Sequence, residues 1–335
     1  MKNPSNEHKI TPWLKGAIEV ANSFRHSRIL LTAIELDVFS QLGKARMSAK
    51  EIALRLNTNP RATAILLNAL VGLRFLRKRG GLYSNTASGQ RFLVRESAEY
   101  RGAFLVHIAR CWHPWQELTR VVKTGEAAKY EGPTEAAAFA RAMYDCGLER
   151  AEEVASLLDL TNVRHALDLG GGPGHYALAV AKRNPSCQIT IFDHPDILKV
   201  TEEIVSLHRD LKSRIAIMPG DFLVDDIGYP YDLIIGSNII HSYGEENVRE
   251  IIRKAADSLS PGGRLAIHDF FLDDSLTRPT EAAVFAVHML VVTGVGRSYS
   301  VSEVAKWMEE ARLRDCQNLS LRSGPTSLLV GRRSS

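Results

Sequence analysis

The feature that most constrains the fold is an alternation of short β-rich runs and helical segments that begins at about Val163. The β-rich runs read HALDLG, QITIFD, RIAIMPGD, YDLIIGS and RLAIHD, with helical segments between them. Strands and helices that alternate in this way form a parallel sheet with helices on both faces. We therefore predict an α/β fold with a Rossmann-like sheet in the second half of the chain.

A glycine-rich loop follows the first of these runs. It reads Asp168-Leu-Gly170-Gly-Gly172-Pro-Gly174, and a helix is predicted from near His175. Glycine is needed where the backbone turns sharply and passes close to a ligand. The dinucleotide-binding fingerprint G-x-G-x-x-G, counted from Gly170, would need glycine at position 175. This chain has His175 there, so the fingerprint is not matched. The acid before the loop suits a cationic ligand with an amino group and would repel a pyrophosphate. We therefore predict S-adenosylmethionine as the cofactor, bound by Asp168, Gly170, Gly172 and Gly174.

The ends of the next two β-rich runs carry further candidates for the same ligand. Asp193 ends ITIFD, where a carboxylate is placed to bind the two hydroxyls of a ribose. Gly220-Asp221-Phe222 follows RIAIMP. Asp221 can accept a hydrogen bond from an adenine amino group, and Phe222 can lie against the adenine ring. Because parallel strands end at one edge of a sheet, we expect these side chains to surround one ligand.

The first part of the chain is predicted to be mostly helical, with the outline of a winged helix. Residues 12 to about 40 carry apolar positions at helical spacing, and Ser48 to Glu51 form a capping-box pattern that starts a short helix. Asn59-Pro60 opens another helix, and a turn at Gly80-Gly81 follows it.

Two interpretations of this winged helix compete: packing against a partner subunit, or binding of DNA through residues 59 to 73. The candidate recognition helix carries only Arg61 itself. The other basic residues cluster just past its end, at Arg74, Arg77, Lys78 and Arg79. DNA affinity depends on charge spread along a groove. The formal net charge is also only +4. We therefore favour the subunit interpretation and expect no nucleic-acid partner.

At 335 residues the chain is longer than one hydrophobic core usually serves. We divide it into a winged-helix domain at 1–100, a helical linker at 101–160 that contributes to the substrate pocket, and a Rossmann-like catalytic domain at 161–335. The four cysteines form no CxxC pair, which fits a reducing compartment and argues against a zinc site. The N-terminus lacks the apolar core of a signal peptide, and residues 282–295 are too short to span a bilayer. We expect a cytoplasmic protein without a membrane anchor or a metal ion.

Taken together, these features resemble the S-adenosylmethionine-dependent O-methyltransferases of the plant caffeate and acetylserotonin type, including their bacterial natural-product branch. The segments that carry the resemblance cover nearly the whole chain and include AIELDVFSQLG, SAKEIALRLN, ALDLGGGPGHYALAVAKRNP, IFDHPDIL and SNIIHSYGEENVREIIRKAADSLSPGGRLAIHDF. The resemblance implies an intertwined homodimer through the N-terminal domain. It also implies methyl transfer to a small-molecule acceptor, with S-adenosylhomocysteine as the product.

The resemblance also assigns roles to residues of the second half. His241, in NIIHSYGEEN, stands where the family keeps its general base, and Asp269, in LAIHDFF, where an acid orients that base. The family's second orienting acid is replaced here by Ser298. Ser237 occupies the position near the adenine where plant members often have lysine.

The acceptor is expected to be a planar phenolic or polyketide-like molecule that is methylated on a hydroxyl group. Aromatic and methionine side chains suited to a flat apolar slot are Trp112, Met143, Phe285 and Met289. The altered motif His241-Ser-Tyr243 and the replacement at Ser298 leave two alternatives open. One is a same-fold enzyme with non-methylating chemistry, such as decarboxylation, hydroxylation or a pericyclic step. The other is methylation of carbon or nitrogen.

Overall fold

The computed structural model describes residues 11–129, 136–228 and 230–334. The chain forms two compact units, which meet in sequence between Ala109 and Arg110. The boundaries expected after residues 100 and 160 stay a prediction. Among the helices of the described residues, none combines the length and the apolar composition needed to cross a membrane.

The first unit is mostly helical. Its elements are α1 (Pro12–Glu35), α2 (Val38–Leu42), α3 (Ala49–Leu56), α4 (Pro60–Gly72), β1 (Leu76–Arg79), β2 (Leu82–Asn85), α5 (Ala87–Phe92) and α6 (Gly102–Arg110), the last ending just past the boundary.

Local sequence explains where the elements of this unit begin. Ser48 and Glu51 form the expected capping box at the start of α3, each side chain accepting a hydrogen bond from the other residue's backbone N–H. The Asn59 side chain caps the start of α4 by accepting hydrogen bonds from the Arg61 and Ala62 N–H groups. Strands β1 and β2 pair antiparallel across Gly80 and Gly81, which both have positive φ. The predicted winged-helix outline is confirmed.

The second unit alternates strands and helices. Its elements are α7 (Trp112–Gln116), α8 (Leu118–Thr124), α9 (Ala136–Leu157), β3 (His165–Leu169), α10 (His175–Arg183), β4 (Gln188–Asp193), α11 (Pro195–Leu207), β5 (Ile215–Pro219), β6 (Tyr231–Ser237), α12 (Glu245–Asp257), β7 (Leu259–Asp269), α13 (Thr280–Thr293), α14 (Val301–Glu310), β8 (Leu313–Ser320) and β9 (Ser327–Arg333). Two 3-10 turns are also present among the described residues: Lys212–Arg214 precedes β5, and Ile240–Ser242 follows β6.

The strands form one seven-stranded sheet in the order β5-β4-β3-β6-β7-β9-β8. The strands β3 to β7 run parallel, whereas β9 is antiparallel to both β7 and β8. The strand order reverses between β3 and β6, and open α/β sheets bind ligands beyond the carboxyl ends of their strands at such a reversal. The predicted Rossmann-like sheet is therefore confirmed, and its strand order reverses at the edge formed by the carboxyl ends of β3 and β6.

Side chains alternate between the two faces of this sheet. One face packs against α9, α10 and α11 and includes Ala166, Leu233 and Ala266. The other face packs against α12 and α14 and includes Leu167 and Leu265. This alternation sends neighbouring residues at the end of one strand to opposite faces of the sheet.

Candidate active site

The loop from β3 to α10 has the backbone shape that only glycine adopts easily. Gly170, Gly172 and Gly174 have φ values of +61°, +55° and +80°. A Cβ atom at Gly170 would lie 2.6 Å from Ile239 Cγ2, and one at Gly174 would lie 2.8 Å from Ile191 Cδ1. The loop therefore turns sharply and also packs closely against β4, which carries Ile191, and against the segment after β6, which carries Ile239.

Asp193, the last residue of β4, is hydrogen-bonded to this loop. Its Oδ2 accepts a hydrogen bond of 2.7 Å from the Gly172 N–H, and its Oδ1 accepts one of 2.6 Å from the His194 N–H. Burial raises the pKa of the Asp193 carboxyl, although both hydrogen bonds oppose that shift. The carboxylate thus stands beside the loop with its orientation set by two backbone amides.

Asp168 lies under the loop. Its side chain is fully buried, and its Oδ2 accepts a hydrogen bond of 3.0 Å from the Ala177 N–H in the first turn of α10. Its Oδ1 has no hydrogen-bond partner among the residues that the structure describes. Burial, with a smaller contribution from the negative charge of Asp193, raises the pKa of Asp168 to about 7. The position fits an acid that supports the loop, and direct contact with a cofactor stays a prediction.

The segment after β5 approaches the same loop. Gly220 donates a backbone hydrogen bond of 3.0 Å to the Asp193 carbonyl, and Asp221 Oδ1 accepts one of 2.9 Å from the Leu223 N–H. The Phe222 ring packs edge-on against the Tyr243 ring, with the centroids 5.7 Å apart. The structure therefore brings the glycine loop, Asp193 and the Asp221–Phe222 segment together at one edge of the sheet.

A buried polar chain lies on the α10 face of this edge. The Asn238 amide donates to the Tyr176 hydroxyl (3.2 Å), which lies 3.1 Å from His268 Nδ1, and His268 Nε2 lies 2.8 Å from Thr326 Oγ1. Ser237 Oγ and Asn238 Oδ1 are buried without a hydrogen-bond partner among the described residues. Two buried acceptors at the strand reversal are what a polar ligand would satisfy.

The burial of His268 predicts how stability depends on pH. Burial lowers its pKa from 6.5 to about 4. The folded state therefore binds fewer protons than the unfolded state between these values, and stability falls as pH drops through this window. One such group contributes at most about 1.4 kcal/mol per pH unit.

We expect His268→Gln to flatten this dependence, measured as the free energy of unfolding in denaturant at several pH values. His175, whose pKa burial lowers to about 3, acts in the same direction, so some slope remains in the variant. Asp168, with its raised pKa, acts in the opposite direction. An unchanged slope in His268→Gln would contradict the prediction.

His241 and Asp269 form a hydrogen-bonded pair, as the family resemblance implies. His241 lies in the 3-10 turn after β6, and Asp269 ends β7, the neighbouring strand. His241 Nδ1 lies 2.6 Å from Asp269 Oδ1, and the two side chains are 10% and 3% exposed. The carboxylate accepts the Nδ1–H, which leaves the lone pair on Nε2. Among the described residues, Nε2 has no hydrogen-bond partner.

Aromatic rings line the space beside this pair. The Phe285 ring on α13 meets the His241 ring at a centroid distance of 4.8 Å and an angle of 88°. Phe270 stacks on Phe285 at 3.9 Å and 19°. Met289, one turn further along α13, is buried. Trp112 and Met143 are half-buried, and their contact with an acceptor stays a prediction.

Ser298 does not substitute for an orienting acid at His241. Its hydroxyl is buried and donates a hydrogen bond of 3.0 Å to the Ala282 carbonyl. Near it, Gly296 lies so close to the His241 carbonyl oxygen that a Cβ atom could not be accommodated without a shift. In the part of the chain that the structure describes, Asp269 is therefore the carboxylate that contacts the imidazole.

Four residues at this edge were not predicted from the sequence: Tyr176, Asn238, Phe270 and Gly296. Tyr176 follows the glycine loop, and Phe270 follows Asp269, so their positions next to predicted site residues were a usable signal. Asn238 has φ of +57°, a left-handed conformation that asparagine adopts more readily than most other residues, so its residue type was a further signal. Their partners lie on other elements and become evident only in the folded chain.

Comparison with known proteins identifies both parts of the chain. Residues 120–313, more than half of the chain, match the O-methyltransferase domain family. Residues 18–95 match the O-methyltransferase dimerisation domain, which supports the subunit interpretation of the winged helix over DNA binding.

Individual relatives match over almost their full length. The chain is 28% identical over 324 residues to a 3-hydroxy-5-methyl-1-naphthoate 3-O-methyltransferase of Streptomyces sahachiroi, with 93% of each chain covered. It is 27% identical over 314 residues to an N,N-dimethyltransferase of Streptomyces rimosus, with 90% of each covered. An O-methyltransferase family protein of Burkholderia thailandensis superposes with a TM-score of 0.86 at 27% identity, covering 98% of this chain and 99% of that one. The chain thus belongs to the family of S-adenosylmethionine-dependent O-methyltransferases that carry an N-terminal dimerisation domain.

Proposed function

We propose that the protein transfers a methyl group from S-adenosylmethionine to a hydroxyl group of an aromatic or polyketide-like small molecule. The observation that carries this proposal is the contact between His241 and Asp269. A buried imidazole, held through one ring nitrogen by a carboxylate, lies beside the edge where such sheets bind their ligands. This arrangement suits removal of a proton from an acceptor hydroxyl.

The residues at the strand reversal fit the cofactor. The glycine loop, the unsatisfied buried oxygens of Ser237 and Asn238, and the carboxylates of Asp168 and Asp193 suit a ligand with polar groups and a positive charge. When bound, S-adenosylmethionine supplies an activated methyl group on its sulfonium. The residues proposed to hold it are Asp168, Gly170, Gly172, Gly174, Asp193, Asp221, Phe222 and Ser237.

Within this set, Asp193 is proposed to bind the ribose hydroxyls, because its carboxylate is already oriented by the Gly172 and His194 amides. Asp221 and Phe222 are proposed to bind the adenine by hydrogen bonding and by ring contact. A bound cation would also favour the ionised form of the Asp168 carboxyl, whose pKa of about 7 reflects its burial.

His241 is proposed as the general base and Asp269 as the residue that orients it. The hydrogen bond at Nδ1 directs the lone pair of Nε2 toward the acceptor, and the carboxylate stabilises the imidazolium that forms. Proton transfer of this kind contributes roughly 10²–10⁴-fold to a rate. The larger task of the protein is to hold the acceptor oxygen in line with the methyl group.

The acceptor is proposed to lie against Phe285 and Met289, with Trp112 and Met143 completing an apolar slot. The partly exposed Phe270–Phe285 ring pair beside His241 supports a planar acceptor. The relative from Streptomyces sahachiroi is named for a hydroxylated naphthoate, which is such a molecule. We propose a fused-ring phenol of that kind as the first acceptor to test.

Methylation of nitrogen is the second candidate, and a relative named as an N,N-dimethyltransferase favours it specifically. An amine is nucleophilic without loss of a proton beforehand, so such a reaction depends less on His241. Carbon methylation and non-methylating chemistry have no comparable observation in their favour.

The test is turnover of an acceptor panel of hydroxynaphthoates, simple phenols and aromatic amines, each incubated with S-adenosylmethionine. S-adenosylhomocysteine release and the mass of the product are measured together. A product heavier by one methyl group on a phenol supports the proposal, and one on an amine supports the second candidate. S-adenosylmethionine binding without product from any acceptor would favour non-methylating chemistry.

The protein is further proposed to form a homodimer through its N-terminal unit. The match to a dimerisation domain supports this, and so does an exposed apolar set on α1. Trp13, Val20 and Phe24 of that helix are 79%, 76% and 52% exposed in the single chain. Large apolar side chains exposed together on one helix are typical of an interface between subunits.

A further inference from the structure

We infer that Lys254 is a positioning residue for the adenine of the cofactor. Its ammonium holds the turn that carries Asp221 and Phe222 in the shape that directs both side chains to the edge where β3 and β6 end. The inference rests on the proposed binding of adenine by Asp221 and Phe222.

The turn at residues 221–225 is closed at one end by Asp221. The Asp221 carbonyl accepts hydrogen bonds of 3.0 Å from the Val224 N–H and 2.7 Å from the Asp225 N–H. Asp221 Oδ1 accepts one of 2.9 Å from the Leu223 N–H, and the Asp221 N–H donates one of 2.8 Å to Asp225 Oδ2. Among the described residues, no backbone N–H donates to the carbonyls of Phe222 and Asp225. These two carbonyl groups therefore need a donor from outside the turn.

Lys254 on α12 supplies that donor. Its Nζ donates a hydrogen bond of 2.8 Å to the Phe222 carbonyl and one of 2.9 Å to the Asp225 carbonyl. Hydrogen bonds from a charged donor are stronger than those between neutral groups. Lys254 therefore holds Phe222 directly. It holds Asp221 through Asp225, whose carboxylate accepts the hydrogen bond from the Asp221 N–H.

The packing of α12 explains why Lys254 reaches the turn. Phe222 belongs to the same buried cluster as Ile251 and Ala255, which lie within one helical turn of Lys254. Lys254 itself is half-buried. A lysine in such a place buries its aliphatic stem against apolar neighbours and extends its ammonium to polar groups. The packing of the helix therefore sets where the ammonium lies.

The ribose and the adenine are then recognised by groups that separate elements hold. Asp193, proposed to bind the ribose, is oriented by the backbone amides of Gly172 and His194. Asp221, proposed to bind the adenine amino group, is oriented within the turn that Lys254 holds. Its Oδ1 already accepts a hydrogen bond inside the turn, so Oδ2 is the oxygen left for the amino group. Loss of the ammonium should therefore weaken recognition of the adenine and leave recognition of the ribose intact.

The experiment separates the adenine amino group from the rest of the ligand. Dissociation constants are measured by calorimetry for S-adenosylhomocysteine and for its purine analogue, in which hydrogen replaces the amino group of the base. Lys254→Met removes the ammonium and keeps a long unbranched side chain, and Lys254→Arg keeps a charged donor. Arg253→Met is the matched control, because Arg253 is the neighbouring exposed cation of α12 and pairs with Glu250 and Asp257.

We expect wild-type protein to bind S-adenosylhomocysteine about 10-fold or more tightly than the analogue, which loses a hydrogen bond to a carboxylate. Lys254→Met should weaken binding of S-adenosylhomocysteine by about 5- to 20-fold and binding of the analogue by at most about 3-fold. Lys254→Arg should restore part of the preference, and Arg253→Met should change neither constant.

Hydrogen exchange of residues 222–225, followed by mass spectrometry, reports on the turn without a ligand. The Val224 and Asp225 amides are protected by their hydrogen bonds to the Asp221 carbonyl. Loosening of the turn in Lys254→Met should therefore speed their exchange by about 3- to 30-fold. Exchange in Arg253→Met should match that of wild-type protein.

Three results would overturn the inference. Unchanged exchange in Lys254→Met would mean that the ammonium does not hold the turn. Equal weakening of both ligands in that variant would mean that Lys254 acts on the whole site and not on the adenine. Equal binding of both ligands by wild-type protein would refute the adenine role of Asp221 and the inference with it. If wild-type protein bound no S-adenosylhomocysteine, the proposed cofactor would fail, and the exchange rates would still decide whether Lys254 holds the turn.

Discussion

Replacing His241 with alanine should lower methyl transfer to a phenolic acceptor by about 10²–10⁴-fold, with binding of S-adenosylmethionine nearly unchanged. The imidazole Nε2 is the proposed proton acceptor, and Asp269 holds the ring through Nδ1 at 2.6 Å. Among the described residues, neither the glycine loop nor Asp193 forms a hydrogen bond with this imidazole. Loss of the ring therefore removes the base and leaves the cofactor site intact.

Turnover is measured by release of S-adenosylhomocysteine, and cofactor affinity by calorimetry on the same preparation. His165→Ala is the matched control, because this exposed histidine begins β3 at the opposite end of the strand from the glycine loop. If His241→Ala retained more than about a tenth of wild-type turnover on a phenol, general base catalysis by this residue would be ruled out.

Replacing Asp193 with alanine should weaken S-adenosylmethionine binding by about 10²–10⁴-fold. The carboxylate is proposed to accept two hydrogen bonds from the ribose, each contributing about 1.5–3 kcal/mol because the acceptor is charged. Its Oδ2 also accepts the 2.7 Å hydrogen bond from the Gly172 N–H, so the variant loses a contact that shapes the loop. The expected loss is in the Kd for the cofactor, measured by calorimetry.

Asp196→Ala is the control for this variant. Asp196 lies three residues further on, in the first turn of α11, and its exposed carboxylate pairs with Lys199. Asp196 carries the same charge as Asp193 but pairs with Lys199 and not with the glycine loop. Asp193→Asn separates the two losses, because an amide oxygen can still accept from Gly172. Binding within threefold of wild type in Asp193→Ala would refute the ribose assignment.

Local patterns were enough to predict the elements of the fold. The capping box at Ser48, the Asn59 cap and the hairpin turn at Gly80-Gly81 each depend on residues within about four positions of one another. The same holds for the spacing of glycines in the loop from Gly170 to Gly174. Interactions between residues so close in sequence can be recognised from the sequence alone. The alternation of strands and helices could therefore be predicted.

The sequence by itself determined the chemistry that is available: a glycine loop with an acid before it, an acid at the end of β4, and a histidine followed by an acid 28 positions later. The tertiary structure decided which of these groups meet. Strands β6 and β7 are neighbours in the sheet, and this brings Asp269 to His241. Phe285 reaches the imidazole from α13, and Tyr176 reaches His268 across 92 positions. Such contacts depend on the packing of whole elements, because residues far apart in sequence become neighbours only when the faces that carry them are buried together.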